Sequence, residues 1–91
     1  MNDMNLVLLE RKLKVLASTK RLQMLKEIKR RRSVTVSSLA HSIHLSIEAT
    51  SNHLQRLARL DIVRPIKRGR YVSYLLKLHQ DAPVKHILTL L

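Results

Sequence analysis

Two short helical patterns separated by a very tight turn constrain the fold of this chain more than any other feature. Apolar residues recur at helical spacing over residues 36–43, and a second helical pattern follows the capping residue Ser46 and continues to residue 60. Only His44 and Leu45 separate the end of the first pattern from that cap. Two short helices joined by so tight a turn predict a helix-turn-helix over residues 36–60.

Strand patterns replace helical ones after this motif. Residues 62–67 and 71–77 are rich in β-branched and aromatic residues, and Gly69 lies between two arginines at the expected hairpin tip. Helical patterns over residues 5–17 and 19–31 precede the motif, and another over residues 82–91 follows the hairpin. The predicted fold is mainly α with a small β-hairpin, in the order α-α-α-α-β-β-α. This is a winged helix-turn-helix in a single domain over residues 1–91, with the wing at residues 62–77.

The core available to this domain is small and aliphatic. The chain has no Phe or Trp and only 2 Tyr, so Leu, Ile, Val and Ala are expected to fill the interior. Subunit association is one way in which such a marginal core gains stability. The absence of cysteine excludes disulfides, thiolate nucleophiles and cysteine-based zinc or arsenic sites.

The charge of the chain is strongly positive. Eighteen Lys and Arg against 6 acidic residues give a net charge of +12, which makes nucleic acid the leading partner and an anionic membrane the second. The membrane alternative is weaker, because no apolar run approaches the roughly 18 residues needed to span a bilayer. The segment Met1–Asn5 carries no basic region typical of a signal peptide, so a cytoplasmic location is expected.

The outward face of the helix after Ser46 carries side chains suited to reading double-stranded DNA in the major groove. Glu48, Ser51, Asn52 and Gln55 are the candidates for base contacts, although Glu48 is also explained by the positive end of a helix. An ordinary solvated helix face is the alternative for the whole set. The predicted DNA-contacting residues of this helix are Ser46, Ile47, Glu48, Ser51, Asn52, Gln55 and Arg56, and Arg59 shares their face.

The hairpin tip concentrates positive charge. Lys67, Arg68 and Arg70 surround Gly69, and no acidic residue occurs from Ile62 to Gln80. We expect these cations, together with Arg56, to contact phosphates and to supply salt-dependent affinity. The arginines at positions 30–32 are instead expected to have a local role at the end of their helix.

Neither a metal site nor a catalytic site is predicted. A histidine-based metal sensor using His79, Asp81 and His86 is a rival hypothesis, but zinc needs three or four converging ligands, and structural or exposed histidines are the better explanation. His53 is expected to be a partly buried structural residue. The chain has no glycine-rich phosphate loop, no nucleophile motif and no acid pair at a useful helical spacing. We therefore expect a protein that is not an enzyme and needs no cofactor.

Four stretches in order resemble the arsenic-repressor (ArsR-like) family of winged helix regulators. Residues 13–22 resemble the opening "L-x-x-L-(A/S)-(D/S)-x-x-R-(L/I)", and residues 36–40 resemble "V-x-(E/D)-L-A". Residues 45–54 are similar to "L-S-x-x-x-V-S-x-H-L", and residues 62–74 are similar to the wing pattern "L-V-x…x-G-R-x-x-x-Y". The resemblance covers residues 10–78 and implies a regulator of transcription, acting as a repressor on an operator.

The resemblance also implies a homodimer formed through the first and last helices, with half-sites about 34 Å apart. The leucine-rich first helix agrees with this, because it extends past what one small core needs. The predicted dimer residues are Leu6, Leu9, Leu13, Leu16, Ile87, Leu88 and Leu91.

The chain also departs from the family pattern. Thr35, Val36 and Ser37 stand where metal-sensing members carry Cys-Val-Cys, and Pro83 interrupts the last helix where others pair Asp and His ligands. Asp61 stands where the family has Gly, and Asp tolerates a left-handed conformation better than most residues.

The sequence is also compatible with other functions. A sequence-nonspecific architectural or RNA-binding winged helix would also benefit from the net charge, and a basic interaction module for an acidic protein is a further alternative. Any small-molecule or metal effector is unknown.

Overall fold

A computed structural model describes residues 3–91, with side chains described from Asn5 onward. Met1 and Asn2, which belong to the segment considered for export, lie outside the described residues. No helix within residues 3–91 has the length and apolar character needed to cross a membrane. The elements are α1 (Asp3–Leu16), α2 (Thr19–Arg31), β1 (Ser33–Thr35), α3 (Val36–Ile43), α4 (Ile47–Arg59), β2 (Val63–Arg68), β3 (Tyr71–Leu76) and α5 (Ala82–Thr89).

The helix-turn-helix and the hairpin confirm the predicted fold class. The Ser46 hydroxyl caps α4 by accepting a hydrogen bond from the backbone N–H of Ala49 at 3.0 Å. His44 ends α3 in a left-handed conformation, with φ of 58°. The Leu45 N–H then donates to the Ala40 carbonyl at 3.0 Å, so the chain turns sharply into the next helix.

The sheet has three antiparallel strands in the order β1-β3-β2, whereas the sequence predicted only the hairpin. The additional strand, β1, pairs with β3 so that Val34 lies opposite Tyr74, and both side chains are buried. A strand of three residues is too short to show an alternating pattern, which explains why it was not predicted. Pro65 lies in β2, at an edge of the sheet, where its missing N–H does no harm to a neighbouring strand.

The core lies between the inner faces of the helices and the sheet. Helical spacing predicts seven inward residues on the helix-turn-helix, and all are buried or half-buried: Leu39, Ala40, Ile43, Thr50, Leu54, Leu57 and Ala58. Met24 and Tyr74 also belong to the core, which is therefore not made of Leu, Ile, Val and Ala alone. Thr50 is fully buried, and its hydroxyl donates to the Ser46 carbonyl at 2.8 Å, which satisfies it.

The first and last helices divide their apolar residues between the core and solvent. Leu6 is 51% exposed and Leu13 is 45% exposed, whereas Leu9, Ile87 and Leu91 are half-buried. Leu16 and Leu88 were predicted to contact a partner, but the structure corrects this prediction, because both are buried in the core of their own chain. The last helix ends at Thr89, so Leu91 lies beyond it.

One ion pair joins these two helices. The Lys12 ammonium, on α1, contacts the carboxylate of Asp81, the residue before α5. Lys12 is only 8% exposed, so this pair is better shielded from water than the other ion pairs of the described residues. It fixes the start of α5 against α1.

Candidate nucleic-acid interface

Helix α4 presents the predicted polar face to solvent. Ile47, Glu48, Asn52 and Gln55 are exposed and Ser51 is half-buried. The Gln55 amide donates to the Ser51 hydroxyl at 3.1 Å, so two candidate base-reading side chains already contact each other. This face carries amide, hydroxyl and carboxylate groups, which are the groups that read base edges.

Ser46 has a structural role at the start of this face. Its hydroxyl oxygen accepts the capping hydrogen bond from Ala49. The residue is nevertheless exposed, and the hydroxyl keeps a proton that can be donated. A contact with DNA would therefore come in addition to the cap.

The hairpin between β2 and β3 forms the wing. Arg68 pairs with Tyr71, so the hairpin closes over only Gly69 and Arg70. Gly69 has φ of 60°, and a Cβ there would meet no atom within 4 Å. The backbone conformation, rather than lack of space, therefore favours glycine at this turn.

The wing keeps its positive charges available. Lys67, Arg68 and Arg70 are exposed, and none of them takes part in an ion pair among residues 3–91. The Arg70 guanidinium lies over the Tyr71 ring, 5.4 Å from its centroid, and its Nη2 donates to the Tyr71 hydroxyl at 3.4 Å. These contacts hold the cation at the wing tip.

A groove joins the exposed polar face of α4, here called the recognition face, to the wing. Its volume is about 330 Å³, and Ile47 and Ser51 of α4 line it together with Arg70 and Tyr71 of the hairpin. The structure therefore brings part of the predicted base-reading face into one surface with part of the predicted phosphate-contacting set. The start of α3 completes the groove with Thr35, Val36 and Ser37.

The opposite flank of α4 is also positively charged. The half-buried Arg21 donates from Nη1 to Nδ1 of His53 at 2.9 Å, and from Nε to the Val15 carbonyl. Burial, followed by the nearby charges of Arg21 and Arg56, lowers the pKa of His53. The pKa of Arg21 is also lowered, by burial and then by Arg56. His53 is thus the partly buried structural residue that its position predicted.

Arg56 lies on this flank, whereas the predicted phosphate contacts of the wing lie on the other. It lines a second groove, together with Arg21 and Arg59, between α4 and the first helix. The structure therefore does not bring Arg56 together with Lys67, Arg68 and Arg70 in one groove.

Two of the three arginines at positions 30–32 have local partners, which agrees with the expected local role of this cluster. Arg30 forms an ion pair with Glu27 at 2.8 Å, which lowers the pKa of Glu27. Arg31 donates to the Ser38 hydroxyl at 2.6 Å and so ties the end of α2 to α3. Arg32 caps α2 with φ of 72°.

The residues of the rival metal site are not gathered into a site. Asp81 is engaged by Lys12. Within the part of the chain that the structure describes, no three His, Cys, Asp or Glu side chains are arranged to hold a metal ion.

Tyr71 is the member of this surface that sequence reasoning missed. It is 55% exposed, stacks with Arg70 and lines the groove beside α4. The strand period of two offered a clue, because a buried Tyr74 places the side chain of Tyr71 on the opposite face of β3.

The same fold occurs in solved structures of transcriptional regulators. The antimony-specific transcriptional repressor AntR is 33% identical, with a TM-score of 0.74, and the match covers 96% of this chain and 72% of AntR. Reduced HlyU from Vibrio cholerae is 30% identical, with a TM-score of 0.79, over 97% of this chain and 88% of HlyU. A homodimeric winged helix-turn-helix DNA-binding domain from Mycobacterium bovis is 22% identical, with a TM-score of 0.81, over 99% and 82% of the two chains, and shows the fold alone.

No protein-family model matches the chain, and a search of curated proteins found no match. The assignment therefore rests on the solved structures. Two of these regulators are 30% or more identical to this chain over most of both chains, and they share its fold. Together with the exposed polar face of α4, this similarity decides the family. This chain belongs to the ArsR family of winged helix-turn-helix transcriptional regulators.

Proposed function

We propose that this protein is a homodimeric repressor that binds a specific sequence of double-stranded DNA and regulates transcription by occupying it. The observation that carries this proposal is the continuous surface formed by the exposed face of α4 and the wing, joined by their shared groove. Polar side chains supply base recognition on the helix, and unpaired cations supply phosphate contacts on the hairpin. This role requires binding alone and no catalytic step.

Within this proposal the two parts of the surface have different tasks. Glu48, Ser51, Asn52 and Gln55 read bases, because the N-terminal half of a recognition helix enters the major groove. Lys67, Arg68 and Arg70 contact phosphates, which adds affinity for any sequence. Ser46, Ile47 and Arg56 flank the reading face and fix its position on the duplex.

Exposed apolar residues on α1 support the dimer. Leu6 and Leu13 are exposed, as are their neighbours Val7 and Leu8, and so many exposed aliphatic side chains on one helix favour contact with a second copy. The homodimeric state of the Mycobacterium bovis domain is consistent with this arrangement. Ile87 and Leu91 complete the proposed interface, whereas Leu16 and Leu88 stabilise the core beneath it.

AntR is an antimony-specific repressor, but this protein lacks thiolate ligands for such a metalloid. Soft metalloid ions favour thiolate ligands, and the 91 residues here contain no cysteine. We propose a repressor that does not use a cysteine metal switch.

Two double variants, one in α4 and one in the wing, test whether the helix reads bases and the wing contacts phosphates. A preferred duplex is first selected from a random pool, and binding to it and to a random duplex is measured over a range of salt. Changing both Asn52 and Gln55 to Ala should reduce the preference for the selected duplex by on the order of 10-fold or more, with the salt slope unchanged. Changing both Arg68 and Arg70 to Ala should weaken both duplexes alike and flatten the slope by about one unit per lost phosphate contact.

The outcome also separates the proposal from a nonspecific binder. If the parent protein binds the selected and random duplexes equally, the sequence-specific function is wrong and an architectural role explains the charge. If the Arg68 and Arg70 variant keeps the salt slope of the parent, the wing does not contact phosphates.

A further inference from the structure

The groove between α1 and the C-terminal half of α4 is lined almost entirely by cations. It has a volume of about 470 Å³, and five of its seven lining residues are basic. The lining residues are Arg11, Lys14, Val15, Arg21, Arg56, Arg59 and Leu60. Among the described residues, no acidic side chain lines the groove, so its positive charge is not neutralised from within.

Few of these cations have an acidic partner elsewhere. Lys14 forms an ion pair with Glu10 at 3.2 Å, but both side chains are largely exposed, and such pairs contribute little. Among the described residues, Arg11, Arg21, Arg56 and Arg59 take part in no ion pair. Four guanidinium groups from three helices therefore share one concave surface without a counter-charge.

One of these cations is held in a fixed position. Arg21 is half-buried, and its hydrogen bonds to the Val15 carbonyl and to His53 fix the guanidinium at the edge of the groove. The pKa of Arg21 is lowered by burial and then by the charge of Arg56, so the two guanidinium groups repel each other. A bound anion would offset this repulsion, because its negative charge attracts both guanidinium groups.

We propose that this groove is a phosphate-binding site, distinct from the surface that joins α4 to the wing. Planar guanidinium groups donate in pairs to phosphate oxygens, and four of them can surround a group that carries two or more negative charges. The buried Val15 and half-buried Leu60 give the groove an apolar wall that lowers the local dielectric and strengthens the contact. The phosphate would come either from a DNA backbone or from a free phosphorylated molecule.

Both sources are tested with the same variants. Arg11 and Arg59 are exposed and have no structural hydrogen bond among the described residues, so changing both to Gln removes charge without disturbing Arg21. The matched control changes Lys26 and Lys85 to Gln, which removes two exposed cations outside the groove, α4 and the wing. Thermal unfolding checks that all three proteins are folded.

The first arm measures binding of inorganic pyrophosphate to the protein without DNA, by calorimetry at low salt. If the site takes a free phosphorylated molecule, the Arg11 and Arg59 variant should bind pyrophosphate at least about 10-fold more weakly than the parent. The control should stay within about twofold of the parent.

The second arm measures duplex affinity over a range of salt concentrations. If the phosphate belongs to a DNA backbone, the slope of log affinity against log salt concentration should flatten by about one unit more in the groove variant than in the control.

Either result supports the site and identifies its source, and the proposal is overturned if the groove variant behaves like the control in both arms. Only the second arm rests on the proposed DNA-binding function. If the protein fails to prefer any duplex, the proposed function fails, while the pyrophosphate measurement still decides the groove.

Discussion

At the scale of single residues, the contact between Arg21 and His53 shows how a histidine can lie among cations without adding to their charge. The Nδ1 atom of His53 accepts a hydrogen bond from Arg21, which requires the ring to be unprotonated at that nitrogen. Burial and the charges of Arg21 and Arg56 lower the pKa of the ring, so the folded protein favours its neutral form. This contact also links the start of α2 to the recognition helix.

The lowered pKa of His53 makes stability depend on pH. The contribution of the neutral ring is fully present above the unfolded pKa of about 6.5, and it is lost as the pH falls towards the lower folded pKa. Changing His53 to Asn keeps an acceptor near the position of Nδ1 but cannot titrate. Denaturant unfolding at about pH 7.5 and about pH 5.5 should show a smaller loss of stability in this variant than in the parent.

His79 provides the control, because it is exposed and lies outside the contact. Its change to Asn should leave the dependence on pH as in the parent. A parent-like loss of stability in the His53 variant would show that this ring is not responsible.

Asp61 explains how the chain turns from α4 into the wing without glycine. Its φ of 58° is left-handed, which Asp tolerates and a β-branched residue does not. Changing Asp61 to Val should lower the free energy of unfolding by about 1–2 kcal/mol relative to changing it to Gly. Both changes remove the ion pair with Lys77, so urea unfolding of the two variants isolates the backbone effect. Equal stabilities would mean that the turn relaxes.

At the scale of elements, the cap of the recognition helix can be separated from its contact with DNA. Changing Ser46 to Ala removes the hydrogen bond to the Ala49 N–H and should cost about 1 kcal/mol of stability. Changing it to Asp keeps a capping oxygen but places a negative charge at the DNA surface. Chemical unfolding should therefore show near-parent stability for Asp, and DNA titration should show weaker binding. If both variants are equally destabilised, the hydroxyl has another role.

The elements with strong local determinants were predictable from the sequence. The bounds of α2 and α3 match the prediction because helical periodicity and the capping residues Ser18 and Thr35 mark them. The hairpin was also predictable, because glycine at its tip and the change to strand composition mark it. The short β1 was not, since its pairing with β3 depends on residues about 40 positions away in sequence.

The surface of the protein was only partly predictable. Helical periodicity identified the outward face of α4, because the inward residues define it by exclusion. Periodicity does not say what lies on either side of that face. Both the position of Arg56 opposite Arg21 and the position of Tyr71 near Ser51 follow from the packing of α4 between α1 and the wing.

At the scale of the whole molecule, the shape is slightly more extended than a compact chain of this length. The radius of gyration is 13.0 Å, compared with about 12 Å expected for 91 residues. Four apolar side chains of α1 remain 42–52% exposed in the single chain: Leu6, Val7, Leu8 and Leu13. A second copy that covers them would complete the apolar interior that this small core lacks.

The proposed dimer can be tested with two leucines of α1. Changing Leu6 and Leu13 to Gln should weaken self-association by on the order of a thousandfold, because each lost leucine removes on the order of 1 kcal/mol of association free energy in each of the two copies. Sedimentation equilibrium over a range of concentrations measures this. Leu78 is 88% exposed and lies outside α1 and α5, so its change to Gln is the matched control. A variant that still associates like the parent would place the interface elsewhere.

The central claim is that this protein reads a DNA sequence rather than only its charge. Competition between a selected duplex and a random duplex, at one salt concentration near the physiological value, tests it most directly. Sequence-specific regulation predicts that the selected duplex binds about a thousandfold more tightly or better. Equal affinity for the two duplexes would contradict the claim, because the net charge of +12 alone would then account for binding.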